Sequence, residues 1–258
     1  MFEKIKCFIL DMDGTIYLGN ELFPFTKDFL KKVEDTGREY YFFTNNSSKS
    51  QQAYIEKLGK LGIQIKKDQM MTSSHVIVKY LKEHYEGKSI YVLGTQSLIQ
   101  EFQYFDMNLT EEDPDIVVLG FDTTLTYEKL SKVCHYIRNG CIYFGINPDW
   151  NCPMEGGTFI PDCGSMAKLI EASTGRFPEF FGKPSKHTQA YIIQETGYEP
   201  DEIAIVGDRL YTDIAVADQS DVMSILVLSG ESTREDVKTS DVKPNVILED
   251  LSEITKML

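Results

Sequence analysis

Two aspartates near the start of the chain carry the clearest chemical signal in this sequence. Asp11 and Asp13 follow the apolar residues 8–10 and precede Gly14 and Thr15, which predicts a buried strand that ends in an acidic turn. Residues two apart in an extended chain point the same way, so both acids can face one pocket. One carboxylate can attack phosphorus while its neighbour transfers protons, and both can help hold a divalent cation. An ordinary Asp-Gly turn is the alternative interpretation.

Three later segments place polar residues directly after apolar ones. An aromatic stretch precedes the first segment, a Phe-rich stretch the second and an aliphatic stretch the third. The polar segments are Thr44-Asn45-Asn46, Gly182-Lys183-Pro184, and Gly207-Asp208 with Asp213 five residues later. Open α/β sheets bind ligands outside the carboxyl ends of their strands. The sequence therefore predicts that Asp11, Thr44 and Asp208 meet at one sheet edge.

In order and context, the four segments resemble the signature motifs of the haloacid dehalogenase (HAD) superfamily of aspartyl-phosphate hydrolases. The resemblance extends from Lys6 to about Leu251. It implies an α/β fold with a Rossmann-like core built on a parallel sheet and a smaller inserted α/β cap domain. The alternation of strand-like and helix-like segments along the chain also favours the α/β class.

The acids of these segments have the following expected roles. Asp11 is the expected nucleophile, and Asp11 and Asp208 are the expected side-chain ligands of Mg²⁺, which binds carboxylates and phosphate oxygens together. The resemblance implies that Asp13 offers its backbone carbonyl to the metal. The Asp13 side chain is expected to act as general acid and then as base. Asp213 is expected either to orient the groups around the metal or to be a helix-start carboxylate. A helix N-cap is the alternative role for Asp208.

The acid at position 13 separates two reactions of the superfamily. Its dehalogenases lack an acid two residues after the nucleophile, because a halide leaving group needs no proton. This chain has Asp13 at that position. The prediction is therefore phosphoryl transfer rather than dehalogenation.

Phosphate binding is assigned to the second and third segments. Thr44, Asn45 and Asn46 lie where a strand opens into a helix, and backbone N–H groups at such a point suit a phosphate oxygen. Capping of that helix by the two serines that follow is an alternative, and both can hold together. Lys183 is expected to clamp the nucleophile and the phosphate through its positive charge.

The chain is expected to form two domains. A discontinuous catalytic core takes residues 1–83 and 181–258, and an α/β cap takes residues 84–180. A large α/β cap between the second and third motifs resembles the NagD-like subgroup of HAD phosphatases, which is related to pyridoxal phosphate phosphatase and 4-nitrophenylphosphatase. Ile146 and Asp162 stand where many members of that subgroup have Thr and Gly. These departures weaken the transfer of substrate identity but not that of the fold.

Three cap residues are candidates for selecting the substrate, namely Asn147, Asp149 and Trp150, in a Pro/Gly-rich loop predicted over residues 147–164. Trp150 is the only tryptophan. Its ring can stack on a planar substrate or pack in the core of the cap, and the sequence favours neither. A domain-sized cap is expected to exclude phosphoproteins and to admit small metabolites.

Composition argues against several other classes of protein. The net charge is −14 and no Lys/Arg cluster of five or more is present, which disfavours nucleic-acid and anionic-membrane partners. No apolar stretch predicts a transmembrane helix, and the first residues do not resemble a secretory signal. Five cysteines without a C-x-x-C pair indicate reduced thiols in a cytoplasmic protein. A zinc half-site at Cys152 and Cys163 is disfavoured because no histidine adjoins them.

The predicted function is a cytoplasmic, Mg²⁺-dependent phosphatase that forms an aspartyl-phosphate intermediate. Its expected substrates are sugar phosphates, nucleoside monophosphates or pyridoxal phosphate-like esters, with p-nitrophenyl phosphate as a substrate in vitro. An intramolecular phosphotransferase and a non-catalytic sensor of phosphometabolites are the alternatives. The oligomeric state is left open, and a homodimer is compatible with the sequence.

Overall fold

The computed structural model describes residues 2–154, 157–218 and 220–258. The chain divides into two units, the first built from Met1–Thr44, Ile55–Met71 and Lys183–Leu258, and the second from Asn45–Tyr54 and Thr72–Gly182. The predicted core also included residues 45–54, 72–83 and 181–182, which the structure groups with the second unit.

The strands, numbered in chain order, are short and mostly buried. They are β1 (Cys7–Leu10), β2 (Tyr17–Leu18), β3 (Glu21–Leu22), β4 (Glu39–Thr44), β5 (Met70–Thr72), β6 (Ile90–Leu93), β7 (Ile116–Leu119), β8 (Ile142–Gly145), β9 (Asn151–Met154), β10 (Thr158–Pro161), β11 (Glu179–Phe180), β12 (Ile203–Gly207), β13 (Met223–Val227) and β14 (Val246–Leu248).

The α-helices alternate with these strands over most of the described chain. They are α1 (Thr26–Asp35), α2 (Gln51–Lys60), α3 (Ser73–His84), α4 (Gln96–Tyr104), α5 (Tyr127–Arg138), α6 (Cys163–Thr174), α7 (Lys186–Thr196), α8 (Arg234–Thr239) and α9 (Leu251–Met257). A π-helical turn spans Leu210–Ile214. None of the described helices is long and apolar enough to cross a membrane.

A six-stranded sheet forms the centre of the first unit, in the order β14-β13-β12-β1-β4-β5. β1 pairs in parallel with β12 on one side and with β4 on the other. All four residues of β1 and all five of β12 are buried, as expected for central strands covered on both faces. Leu10 is level with Val206 and Phe42, so the residues that follow these three strands emerge side by side at the carboxyl edge.

A four-stranded parallel sheet forms the centre of the second unit, in the order β11-β8-β7-β6. Its core combines strand residues such as Val117 and Leu119 with the inner faces of α5 and α6, including Ile137 and Ile170. An antiparallel hairpin of β9 and β10 precedes α6. The predicted α/β class with a parallel central sheet is confirmed.

One local prediction was wrong. The segment 147–164 was expected to be a loop, but it contains the β9–β10 hairpin. Its Pro and Gly residues favour loops, and pairing of the two strands decides the outcome. Residues 70–72 form β5 at the edge of the first sheet, and the helix that follows begins at Ser73.

Candidate active site

The carboxyl edge of the first sheet carries the acids that the sequence singled out. Asp11 and Asp13 follow β1, and Asp208 follows β12. The backbone N–H of Asp11 donates to the carbonyl of Val206 at 2.8 Å, which extends the pairing of the two strands to the first acid. The register of two buried parallel strands therefore places Asp11 beside Asp208, although 197 residues separate them in sequence.

Three carboxylates form one cluster within the part of the chain that the structure describes. Asp11, Asp208 and Asp213 each offer an oxygen, and these oxygens lie within 4.8 Å of one another. Asp208 and Asp213 are buried and Asp11 is partly buried. Asp13 is not part of this cluster. Its backbone pairs with that of Tyr17 in an isolated β-bridge in the turn after β1. Its predicted contribution of a backbone carbonyl does not require its side chain in the cluster.

Lys183 is the buried cation of this cluster. Its Nζ lies 2.6 Å from Asp11 Oδ1 and 2.5 Å from Asp213 Oδ1. A third, longer bond of 3.4 Å reaches the carbonyl of Phe43. Burial lowers the pKa of Lys183, but the two adjacent carboxylates outweigh burial and hold the pKa above its ordinary value. Lys183 is therefore a fixed positive charge beside the expected nucleophile.

Asp208 is held by close backbone packing rather than by side-chain partners. A Cβ added to Gly14 or to Gly230 would lie 2.4 or 2.0 Å from its Oδ2, so only glycine fits at either position. Oδ2 accepts a hydrogen bond of 2.7 Å from the backbone N–H of Glu231. Oδ1 is buried and has no hydrogen-bond partner among residues 2–154, 157–218 and 220–258. The N-cap position of the following turn is Arg209, so Asp208 does not have the alternative role of a helix cap.

Both oxygens of Asp213 are already used. Oδ1 contacts Lys183, and Oδ2 accepts from the backbone N–H of Arg209 at 3.1 Å. A Cβ at Gly207 would lie 2.3 Å from the Asp213 side chain, so these two residues are packed tightly together. This arrangement favours the predicted role of Asp213 in orienting its neighbours over direct binding of a metal.

The charges of the cluster do not balance. Burial and the charge of Asp213 raise the pKa of Asp11 to about 7, although Lys183 and Arg209 act in the opposite direction. Burial, followed by the charges of Asp11 and Asp213, also raises the pKa of Asp208. Like charges held together out of water resist ionisation unless a cation joins them. The cluster thus has the electrostatic character of a cation site.

Magnesium fits these donors. The available atoms are carboxylate oxygens, which Mg²⁺ prefers, and the unpartnered buried Oδ1 of Asp208 is a ligand atom with no other use. Asp11 and Asp208 would hold the ion through their side chains. The resemblance adds the backbone carbonyl of Asp13.

The segment Thr44-Asn45-Asn46, which is the second of the four motifs, is divided between the two units. Thr44 is the last residue of β4 and is buried in the first unit. In the second unit, Asn46 Oδ1 accepts from the backbone N–H and the hydroxyl of Ser48. At the start of α2, the hydroxyl of Ser50 accepts from the N–H of Ala53 at 3.3 Å, so the capping serine is neither of the two that follow Asn46. The Asn45 amide donates to Asp149 Oδ2 at 2.9 Å. Phosphate binding by the three residues stays a prediction.

The cap candidates have different surroundings. Asn147 is fully buried, and its amide nitrogen donates to Asp149 and to Asp162 at 2.9 and 3.0 Å. Asp149 is buried as well, so both residues help to hold the second unit together. Trp150 is 49% exposed, which does not fit packing in the core. Stacking of Trp150 on a substrate, and contact of Asn147 or Asp149 with one, stay predictions.

Two residues beside the cluster, Arg209 and Glu231, were not predicted from the sequence to have a role. The Arg209 side chain is 15% exposed and its Nε lies 2.9 Å from Glu231 Oε2. Arg209 stands directly after Asp208 in the fourth motif, and that adjacency is a signal the sequence does contain. Glu231 has no such signal, because only the fold of the loop after β13 brings it to Asp208.

The chain resembles known proteins over nearly its whole length. Residues 8–108 match the family described as haloacid dehalogenase-like hydrolase, and residues 180–254 match the family described as HAD-hydrolase-like. An acid sugar phosphatase of Staphylococcus aureus (strain MRSA252) is 33% identical over 252 residues, which are 97% of each chain.

Solved structures extend this similarity to the fold. The 4-nitrophenylphosphatase of Thermotoga maritima superposes with a TM-score of 0.95 at 41% identity, covering 99% of this chain and 98% of the other. NagD of Escherichia coli K-12 superposes with a TM-score of 0.88 at 30% identity, covering 96% of this chain and 98% of the other.

Proposed function

Because the chain belongs to the haloacid dehalogenase-like hydrolases, as a NagD-like phosphatase, we propose that it hydrolyses small phosphorylated metabolites with Mg²⁺ through a phosphorylated Asp11. The observation that carries this proposal is the acid cluster. Lys183 holds Asp11 Oδ1 at 2.6 Å, and the buried Asp208 Oδ1 lacks a hydrogen-bond partner among the described residues. A nucleophile, a cationic clamp and an unused anionic ligand together suit attack on a phosphate ester.

In the first step, an oxygen of Asp11 attacks phosphorus and the bond between phosphorus and the ester oxygen breaks. Asp13 gives its proton to the departing alkoxide, which leaves as an alcohol. Lys183 keeps one oxygen of Asp11 in place by its hydrogen bond and favours the ionised form of the nucleophile. The product of this step is an acyl phosphate on Asp11.

In the second step, water cleaves the acyl phosphate. Asp13, now ionised, removes a proton from the attacking water, and the bond between phosphorus and the Asp11 oxygen breaks. Inorganic phosphate leaves and both aspartates return to their starting protonation states. When bound by Asp11 and Asp208, Mg²⁺ supplies positive charge that offsets the repulsion between the carboxylates and the phosphate dianion.

Sugar phosphates are the first substrates to test. An acid sugar phosphatase covers 97% of this chain at 33% identity, and a 4-nitrophenylphosphatase has the same fold at 41% identity. The proposed cap function of residues 84–180 limits the substrate to small molecules. Trp150, which is half-exposed, is a proposed contact for the part of the substrate that is not phosphate. A cytoplasmic location is proposed from the five free thiols.

A substrate panel tests the proposal. The purified chain is assayed for phosphate release from p-nitrophenyl phosphate, sugar phosphates, nucleoside monophosphates and pyridoxal phosphate, with Mg²⁺ and with EDTA. We expect Mg²⁺-dependent turnover, strongest on a member of the sugar phosphate group, with Ca²⁺ a poor substitute because it takes more ligands at longer distances. Turnover that survives EDTA after metal-free dialysis would exclude the metal assignment, and no turnover on any ester would exclude the function.

A further inference from the structure

Arg209 is a mostly buried charged residue that the proposed mechanism does not use. Its side chain is 15% exposed, and its Nε lies 2.9 Å from Glu231 Oε2. Its backbone is fixed as well, since the Arg209 N–H donates to Asp213 Oδ2 and the Arg209 carbonyl accepts from the N–H groups of Asp213 and Ile214. Arg209 is therefore attached at two points to the group of residues that surrounds Asp208.

Glu231 connects the Arg209 guanidinium to Asp208. The Glu231 backbone N–H donates to Asp208 Oδ2 at 2.7 Å, while its carboxylate faces Arg209. Gly230 packs so closely against Asp208 that a Cβ would lie 2.0 Å from Oδ2. The loop after β13 thus holds the metal-ligand candidate and the guanidinium in one rigid arrangement.

The charges around the site determine how this arrangement affects the binding of cations and anions. Asp11, Asp208 and Asp213 form a cluster of three carboxylates. Among the described residues, Lys183 is the only lysine bonded to the cluster, and it pairs with Asp11 and Asp213 but not with Asp208. Arg209 adds a second positive charge, carried by the residue directly after Asp208 and connected to Asp208 Oδ2 through Glu231. A fixed positive charge beside an acid cluster weakens its attraction for cations and strengthens its attraction for anions.

We propose that Arg209 is a positioning residue of the fourth motif whose charge, held in place by Glu231, shifts the site away from divalent cations and toward the phosphate group. The inference rests on the proposed function, because it assumes that Mg²⁺ and phosphate share this site. The charge balance requires opposite effects on the two ligands when Arg209 is removed. A purely structural residue would weaken both.

Arg209→Gln tests the inference through ligand binding rather than turnover. Calorimetry of Mg²⁺ without substrate, and of inorganic phosphate in saturating Mg²⁺, gives the two affinities. We expect Mg²⁺ to bind about three- to tenfold more tightly and phosphate about tenfold more weakly than in the unsubstituted chain. Arg209→Lys, which keeps the charge, should stay within about threefold of the unsubstituted chain for Mg²⁺.

Arg234→Gln is the matched control for the change in net charge. Arg234 is exposed and pairs with the exposed Glu249 at 2.6 Å, so its loss should leave both affinities unchanged. Glu231→Gln has the opposite charge change near Arg209 and should weaken Mg²⁺ binding about two- to threefold. It carries the test if Arg209→Gln does not fold.

Three results would overturn the inference. Arg209→Gln could weaken Mg²⁺ and phosphate alike, it could behave like Arg234→Gln, or Glu231→Gln could tighten Mg²⁺ binding. Failure of the proposed function is distinguishable from all of these, because it appears in the unsubstituted chain as turnover without Mg²⁺ dependence or as no turnover.

Discussion

The polar groups at the carboxyl edges of the two parallel sheets differ in how fully they are hydrogen-bonded. At the edge of the six-stranded sheet, three carboxylates lie close together, two of them bonded to Lys183, and Asp208 Oδ1 lacks a hydrogen-bond partner among the described residues. At the edge of the four-stranded sheet, the polar groups that follow the strands have partners within their own unit. Thr95 follows β6 and its hydroxyl donates to the carbonyl of Ser48, and Asn147 follows β8 and accepts from Ser47 Oγ.

Residues 45–54 account for much of this difference. The segment bonds to the edge of the four-stranded sheet through Ser47 and Ser48, and it continues with the N–H of Gln51 donating to the buried Glu101 at 2.9 Å. The chain itself therefore occupies the place where an open α/β sheet would bind a ligand. These bonds also explain why residues 45–54 group with the second unit rather than with the predicted core.

The comparison shows that a sheet edge rich in polar groups is not by itself a ligand site. Buried polar groups in proteins are nearly always paired, and leaving one unpaired costs about 1–3 kcal/mol. The edge of the six-stranded sheet has a carboxylate oxygen without a partner among the described residues and several acids that repel one another, so it is destabilised by such a cost. A bound cation would remove this destabilisation. The two edges differ in whether their buried polar groups have hydrogen-bond partners among the described residues, more than in their position in the fold.

Asp11→Asn should produce the largest effect in the molecule. The proposed nucleophile is lost, so turnover of p-nitrophenyl phosphate should fall by at least about a thousandfold, while the melting temperature without metal stays equal or rises because one repelling charge is gone. Phosphate release and circular dichroism measure the two quantities. A loss of less than about tenfold would rule out nucleophilic catalysis at this position.

Asp208→Ala should separate metal binding from stability. We expect the Mg²⁺ concentration for half-maximal activity to rise by at least about a hundredfold, without loss of apo stability, because the residue removed has an unpartnered buried oxygen. Activity against Mg²⁺ concentration and the apo melting temperature are the measurements. If the residue were structural, the melting temperature would fall and the metal dependence would not change.

Asp122→Asn should give the opposite result at the second edge. The Asp122 side chain is buried and accepts from Lys129 Nζ at 2.7 Å and from the N–H and hydroxyl of Thr124 at 2.8 and 2.6 Å. Its loss should lower the free energy of unfolding by about 1–3 kcal/mol, and the Mg²⁺ requirement should be retained. Urea denaturation measures the change. Asp201→Asn, at an exposed ion pair with Lys4, is the control and should stay within about 0.5 kcal/mol.

Asp115→Asn should produce the smallest effect, and one that depends on pH. The N–H of Ser89 and the side chain of Lys88 lower the pKa of Asp115 to about 2, opposite in direction to the pKa of Asp11. The lowered pKa stabilises the folded state above the ordinary value near 3.8, and this contribution is lost as the pH falls toward 2. The melting temperature of the variant should therefore lie slightly below that of the unsubstituted chain at pH 6. The two should converge near pH 2, and a constant difference would contradict the assignment.

The sequence by itself determined which acids lie at the first edge. Strand-forming apolar runs before Asp11, Thr44 and Asp208 are local patterns, and parallel strands must bring their carboxyl ends to one edge, so the acids could be placed together without coordinates. The buried position of Lys183 beside Asp11 also followed from its motif. The α/β alternation and the parallel central sheet were predicted for the same reason.

Only the tertiary structure determined which of these polar groups have hydrogen-bond partners. The bond between Asn45 and Asp149 joins residues 104 apart, and the contact of Glu231 with Asp208 joins residues 23 apart, and neither has a local pattern that announces it. The strand β5 and the β9–β10 hairpin depend on pairing for the same reason. A residue type states what a side chain can bond to, but only the packed chain determines whether a partner is present. That is why the sequence could place Asp208 at the edge while only the fold left one of its oxygens unpartnered within the described residues.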